Sequence, residues 1–372
     1  MPAHRSGRRL VLVLLLCAAL GPGAVLPASA ADPADEPPVA PVAPVATTIR
    51  LGAPTEVVDE RAVQLRARFL TSAGEPVAGA LVVFDRVVDG AWRRAKARRT
   101  DATGLALYTV KPRRDTRWRV RGLAGERRGV TWQAATSASA RIENVPPARP
   151  VSLGGPRPDA LPTQARAVGR GANAVVHRIS DRVWRSMVGR SWRQGCPVGR
   201  GGLRLVRVNY YGFDGYRYRG EIVVNQAVAR RAARAFGDMH ARKLPLRAMY
   251  RVDRFGWSRE LQGADDRASM AADNTSGFNC RQVVGRPGVR SPHSTGRSID
   301  INPWENPYWT SAGWVPNTWW VGRSHPRVAW RSGSHAVLKI WRSHGFRWTY
   351  GVRDAHHLDG RTAPGLEGGL VG

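Results

Sequence analysis

Acidic residues are scarce in this chain: 28 Asp and Glu stand against 58 Lys and Arg, a formal net charge of +30. Such an imbalance favours polyanionic partners. The arginines are spread along the whole chain, so the charge also fits a solvated surface. Cysteine is scarcer still. Only Cys17, Cys196 and Cys280 occur, room for one disulfide at most. Long apolar runs are missing beyond the first residues, which excludes a later membrane-spanning helix. No HExxH pair is present, and with it goes the helical metal pair of the peptidases that use it. Helix-turn-helix, finger and aromatic-basic repeats are absent too, so no nucleic acid partner is expected.

The apolar run at the start has its own reading. Arg5, Arg8 and Arg9 form a basic start, Leu10 to Leu20 an apolar stretch, and Ala28-Ser29-Ala30 a small-residue cleavage site. That order predicts a secretory signal peptide over residues 1–30. Leu16 is bulky where a lipoprotein signal wants a small residue before the cysteine. Cleavage near Ala31 removes three arginines and no acids and leaves a charge of +27. Cys196 and Cys280 then remain. They fit one disulfide, which an exported chain favours, or two buried thiols.

Composition divides the rest. Residues 31–47 are a Pro/Ala/Val spacer of the extended, semi-rigid kind. A second proline-rich linker spans 146–162. Between them, 48–145 reads as all β. Val63, Leu65, Ala67 and Phe69 alternate with polar residues, and Ala80–Val88 runs into an Asp89-Gly90 turn. Trp118–Arg121 and Ser137–Ile142 continue the pattern, which suggests a β-sandwich similar to immunoglobulin-like surface modules. Wall or partner binding and a plain spacer are both open roles for it. Residues 163–372 mix helices and short strands, so the class is α+β. Ser180 is an expected cap for a helix ending near Gly189. Asn225 to about His240 carries an apolar stripe, and Ser334 is an expected cap for a last helix.

Chemistry concentrates in Ser291-Pro-His293-Ser-Thr-Gly296-Arg-Ser-Ile-Asp300 and in Asp354-Ala-His356-His357. Hydrolytic zinc is held by three such protein ligands, with a fourth position left open. Asp300 alternates with Ile299 and Ile301, so it should project from a strand whose other face is core. His293 should sit on the loop before it, where Gly296 permits a tight turn. A third ligand must come from elsewhere, and the His356/His357 pair supplies it.

Asn274-Thr-Ser-Gly-Phe-Asn-Cys-Arg281, then SPHSTGRSIDINPWENPY over 291–308, then DAHH, resemble the zinc D-alanyl-D-alanine carboxypeptidase family. That family includes L-alanyl-D-glutamate endopeptidases and vancomycin-resistance dipeptidases. The likeness covers roughly 175–360. It implies a small antiparallel sheet with packed helices, with Zn2+ held by His293, Asp300 and His357. It implies Asp354 as general base, and Arg281 and Ser291 as substrate-binding residues, Arg281 acting in catalysis. The expected activity is hydrolysis of D-amino-acid-containing bonds of peptidoglycan stem peptides, outside the cell or at its wall. A non-catalytic wall-binding protein is the alternative, and anionic wall polymers are further expected partners. The chain departs from the family around Trp348-Thr349-Tyr350-Gly351 and at Leu358, and 310–333 is Trp-rich. Those tryptophans fit either core or stacking on sugars.

Overall fold

Alternation along Val63–Thr71 sends Leu65, Ala67 and Phe69 to one side, where all three are fully buried. In the computed structural model, which describes residues 43–361, this strand is the middle of a three-stranded antiparallel sheet. Its neighbours are Thr47–Gly52 and Leu105–Val110. The expected signal peptide, Cys17 and most of the 31–47 spacer lie outside the described residues.

A second sheet carries Leu81–Val88, Ala91–Arg99, Thr116–Gly122 and Ala140–Val145, with Glu56–Val58 added in parallel at one edge. Phe84, Trp118, Val120 and Ile142 of this sheet share one core with Leu65 and Phe69 of the first. The Asp89-Gly90 turn joins two of its strands. Both residues have positive φ, 50° and 77°, as a tight two-residue hairpin loop requires.

The second region is built on a three-stranded antiparallel sheet of Val175–Arg178, Leu203–Tyr211 and Arg217–Asn225. Helix Gln226–Ala241 lies on it through Val228, Ala232, Ala235, Phe236 and Met239, the stripe expected from sequence. Asn225 caps that helix by accepting from the Ala227 N–H. Helix Ala336–Ser343 packs alongside, with the Trp341 ring edge-on to Phe236 at 4.9 Å. Ser180 caps Asp181–Met187 as expected. The last helix departs from expectation: His335 caps it through its ring nitrogen, while the Ser334 hydroxyl turns back to Ser332. The mix of sheets and short helices is α+β in general character. No helix among the described residues is long and apolar enough to cross a membrane.

The all-β region and the second region touch extensively. Glu60 pairs with both Arg113 and Arg217, and the Ala148 N–H donates to the Gly215 carbonyl at 3.3 Å. The described residues from Val45 onward fall in a single unit.

Cys196 and Cys280 form a disulfide between positions 84 residues apart. The bond fastens the loop after helix Asp181–Met187 to the segment that carries Arg281. Closing a loop of that length removes about 4 kcal/mol of chain entropy from the unfolded state. A Cys196→Ser/Cys280→Ser variant should therefore show a clearly lower urea midpoint with an unchanged far-UV spectrum. An unshifted midpoint would mean the cross-link contributes nothing.

Candidate metal centre

The site is assembled by one short strand pairing. Ser298–Asp300 runs antiparallel to His357–Gly360, with Asp300 opposite His357 and Ile299 opposite Leu358. Directly opposed side chains share a face. Ile299 and Leu358 point into the core on one side, which leaves Asp300 and His357 together on the other.

His293 arrives from the single 3₁₀ turn Pro292–Thr295. Ser291 caps that turn, its hydroxyl accepting from the His293 N–H at 3.3 Å. Gly296 ends the turn in the left-handed region at φ 71°, and a Cβ there would lie 2.9 Å from the Asn225 nitrogen. The turn glycine is therefore required both by conformation and by space.

Three lone-pair donors converge. His293 Nε2 lies 3.0 Å from Asp300 Oδ2, and His357 Nδ1 lies 3.1 Å from Asp300 Oδ1. The two ring nitrogens are 3.1 Å apart. Zinc–ligand bonds near 2.0–2.2 Å put adjacent tetrahedral ligands about 3.3 Å apart. The spacing, the burial of all three residues and the N, N, O chemistry fit a zinc-like ion. His356 stands aside: its Nε2 is 3.9 Å from Asp300, and its Nδ1 bonds the Asn306 carbonyl at 2.7 Å.

Each imidazole is held from behind. The Gly277 carbonyl sits 2.7 Å from His293 Nδ1, and Asp359 Oδ1 sits 2.9 Å from His357 Nε2. These contacts leave His293 Nε2 and His357 Nδ1 as the free lone pairs. Asp359 also accepts from Ser298 and Thr349, each at 2.6 Å. Asp359 was not foreseen. Its signal was present, since it follows His357 at the two-residue spacing of one strand face. Thr349, in the segment that departs from the family pattern, is part of this support.

The electrostatics suit a cation. Burial alone would raise the Asp300 carboxyl, but the charges of His293 and His356 and two imidazole hydrogen bonds hold it well below the usual range. Burial opposes protonation of His357, yet Asp300 and Asp359 push its pKa well above the ordinary value. Asp359 is held low by His357, Ser298 and Thr349 against its own burial.

Asp354 differs from these groups. It lines the same cavity of about 630 Å³, and its side chain is 14% exposed. Burial raises its pKa, partly offset by His356 and His357. Its Oδ1 is buried and lies 3.1 Å from His356 Nε2. Arg281 and Ser291 also line the cavity. The Arg281 guanidinium forms an ion pair with Asp266 at 2.6 Å, both side chains buried. The Trp-rich stretch divides. Trp320 and Trp330 are core, whereas Trp319 is 38% exposed.

A family model described as D-alanyl-D-alanine carboxypeptidase matches residues 284–359, which include His293, Asp300, Asp354, His357 and Asp359. The match supports a peptidase of that type. No curated protein matches the chain. Among solved structures, superoxide reductase (neelaredoxin) from Ignicoccus hospitalis is similar at 12% identity and a TM-score of 0.22. That likeness covers 26% of this chain and 80% of that one. A variant of the same protein gives 13% identity, a TM-score of 0.20 and the same two coverages. Scores this low say nothing about the fold.

Removing the partner behind His357 should loosen metal binding. An Asp359→Ala variant is expected to bind zinc about 10- to 100-fold more weakly, measured by competition with a chromophoric chelator. Unchanged affinity would show that Asp359 does not orient the ligand.

Proposed function

We propose that this chain is an exported, zinc-dependent peptidase acting on D-amino-acid-containing bonds of peptidoglycan stem peptides. The observation that carries the reading is the convergence of three metal donors in a cavity that also holds the buried Asp354 carboxyl. The family match over the same residues supports the reaction class. The Cys196–Cys280 disulfide is consistent with export.

Each residue has a task in this reading. His293, Asp300 and His357 hold the ion, and Gly277 and Asp359 orient the two imidazoles. When bound, zinc supplies Lewis acidity that polarises a scissile carbonyl and acidifies a water. Asp354 Oδ1 accepts the proton of the attacking water and returns it to the leaving amine. The all-β region would serve as an immunoglobulin-like module holding the enzyme near its anionic, wall-bound substrate.

Muropeptide digestion by the purified protein tests this. New amines should appear by mass spectrometry, vanish with chelator and return with zinc. Asp354→Asn should cut the rate about 10²- to 10⁴-fold while zinc still binds. Zinc binding without any peptide release would instead favour a wall-binding protein without catalysis.

A further inference from the structure

The outward face of the second sheet of the all-β region is strongly basic. Thr116–Gly122 is an inner strand of that sheet, with Leu81–Val88 on one side and Ala140–Val145 on the other. Trp118 and Val120 point into the core. Arg117, Arg119 and Arg121 alternate with them and therefore share the outer face. Two-residue steps set their Cα atoms about 6.8 Å apart along the strand. Ala91–Arg99, at the edge of the sheet, adds Arg94 opposite Asp85 and Arg99 opposite Leu81. Asp85 in turn stands opposite Arg119. Directly opposed side chains share a face, so these arginines lie on one side of three neighbouring strands.

Little on that face offsets them. Asp85 is buried and accepts from Arg119 Nε at 3.2 Å and from Arg121 Nε at 2.7 Å, one carboxylate between two guanidinia. The Arg94 guanidinium has no hydrogen-bond or ion-pair partner among the described residues. Arg99 donates to the Gly79 carbonyl and Arg117 to the Ser139 hydroxyl, neutral acceptors that leave both charges standing. Arg141, opposite Arg117 on the next strand, is balanced by Asp115. Basic side chains often blunt an exposed sheet edge, which accounts for Arg93, Lys96 and Arg98 on the edge strand. It does not account for Arg117, Arg119 and Arg121, whose strand has a neighbour on each side. Like charges crowded on one face cost stability, and an anionic partner recovers it. Guanidinium forks suit phosphate oxygens. A row of them at even steps suits a chain of anions rather than a single ion. Nucleic acid bases call for exposed aromatic platforms. Trp92 shares this face, but the Arg119 guanidinium lies over its ring at 4.6 Å.

We propose that this arginine face is a docking surface for a linear phosphodiester polymer that carries no bases. Its occupant is held by Arg94, Arg99 and Arg117, with Arg119 and Arg121 sharing their charge between the polymer and Asp85. No residue of the metal cavity takes part. That the polymer belongs to a cell wall rests on the reading of an exported enzyme above. The charge pattern does not.

Binding by the full chain tests this, with poly(glycerol phosphate) and single-stranded DNA of equal charge titrated at several salt concentrations. The native chain should bind the polyol phosphate, and DNA no more tightly. Arg94→Gln/Arg99→Gln/Arg117→Gln spares the two arginines that hold Asp85. It should weaken binding about tenfold, the scale of three exposed charge contacts. The slope of log affinity against log salt should become shallower by about two. Arg50→Gln/Arg66→Gln/Arg68→Gln removes the same charge from the outward face of the other sheet and should leave the affinity nearly unchanged. Equal losses in the two variants would mean that net charge alone governs binding and overturn the proposal. No binding by the native chain overturns it as well, and so does tighter binding of DNA. Arg94→Glu, at an exposed side chain without a partner, should weaken binding in the same sense and decides the matter if the triple variant does not fold. Hydrolysis of soluble stem peptides should be the same in the native chain and in every variant. Polymer binding through these arginines, with no hydrolysis by the zinc-loaded protein, leaves the docking surface standing and removes the peptidase reading.

Discussion

The opposition of Asp300 and His357 across two short strands is the constraint on which the site depends. The residues are 57 apart in sequence, yet the pairing sets them face to face. Their neighbours Ile299 and Leu358 are buried in the core on the reverse side. The period of a strand is two residues, so a slip of one position would send the carboxylate and the imidazole into the core. The cost of burying them there unpaired exceeds anything the short pairing provides. The hydrophobic face therefore selects the register, and the register builds the candidate metal site. The Asp300 backbone is pinned on its other edge by Ser276 as well, through hydrogen bonds of 2.9 and 3.0 Å.

Much of this was legible in the sequence. Alternation around Ile299 and Ile301 foretold that Asp300 would leave a strand, and Gly296 foretold the tight turn behind His293. The stripe from Val228 to Met239 gave the main helix almost to the residue. What escaped was of another kind. Asp359 was missed because its role exists only once the strand pairs and the ring of His357 has turned. The pairing of Arg281 with Asp266 joins a strand edge to a six-residue helix, and no local pattern announces it. The His335 cap escaped because a ring nitrogen reaching a backbone N–H is a rarer device than the hydroxyl Ser334 offered.

A second buried cluster braces the site from below. Arg247 pairs with Asp273 at 2.9 Å and with Glu305 at 3.0 Å, and burial pushes both carboxyls upward. Asp273 also accepts from the Trp304 N–H, and Asn302 holds a positive φ of 44° nearby. The loop after Asp300 is thereby fixed, with Asn306 at its end. The Asn306 carbonyl holds His356, whose other nitrogen faces Asp354. Breaking a buried pair of this kind leaves an uncompensated charge. A disturbance at Arg247 would therefore travel to the cavity without touching any metal donor.

Asp300 and Asp354 line the same cavity, and their surroundings drive them apart. Asp300 is ringed by imidazoles that favour its ionised form. Asp354 lacks those hydrogen bonds, and burial moves it toward the neutral form, closer to the range where a proton can be both taken and given. The same residue type thus separates into a group that holds charge and a group that can exchange a proton. Environment alone makes the distinction. His356, 3.1 Å from Asp354 Oδ1, offsets part of the rise, but burial is the larger effect.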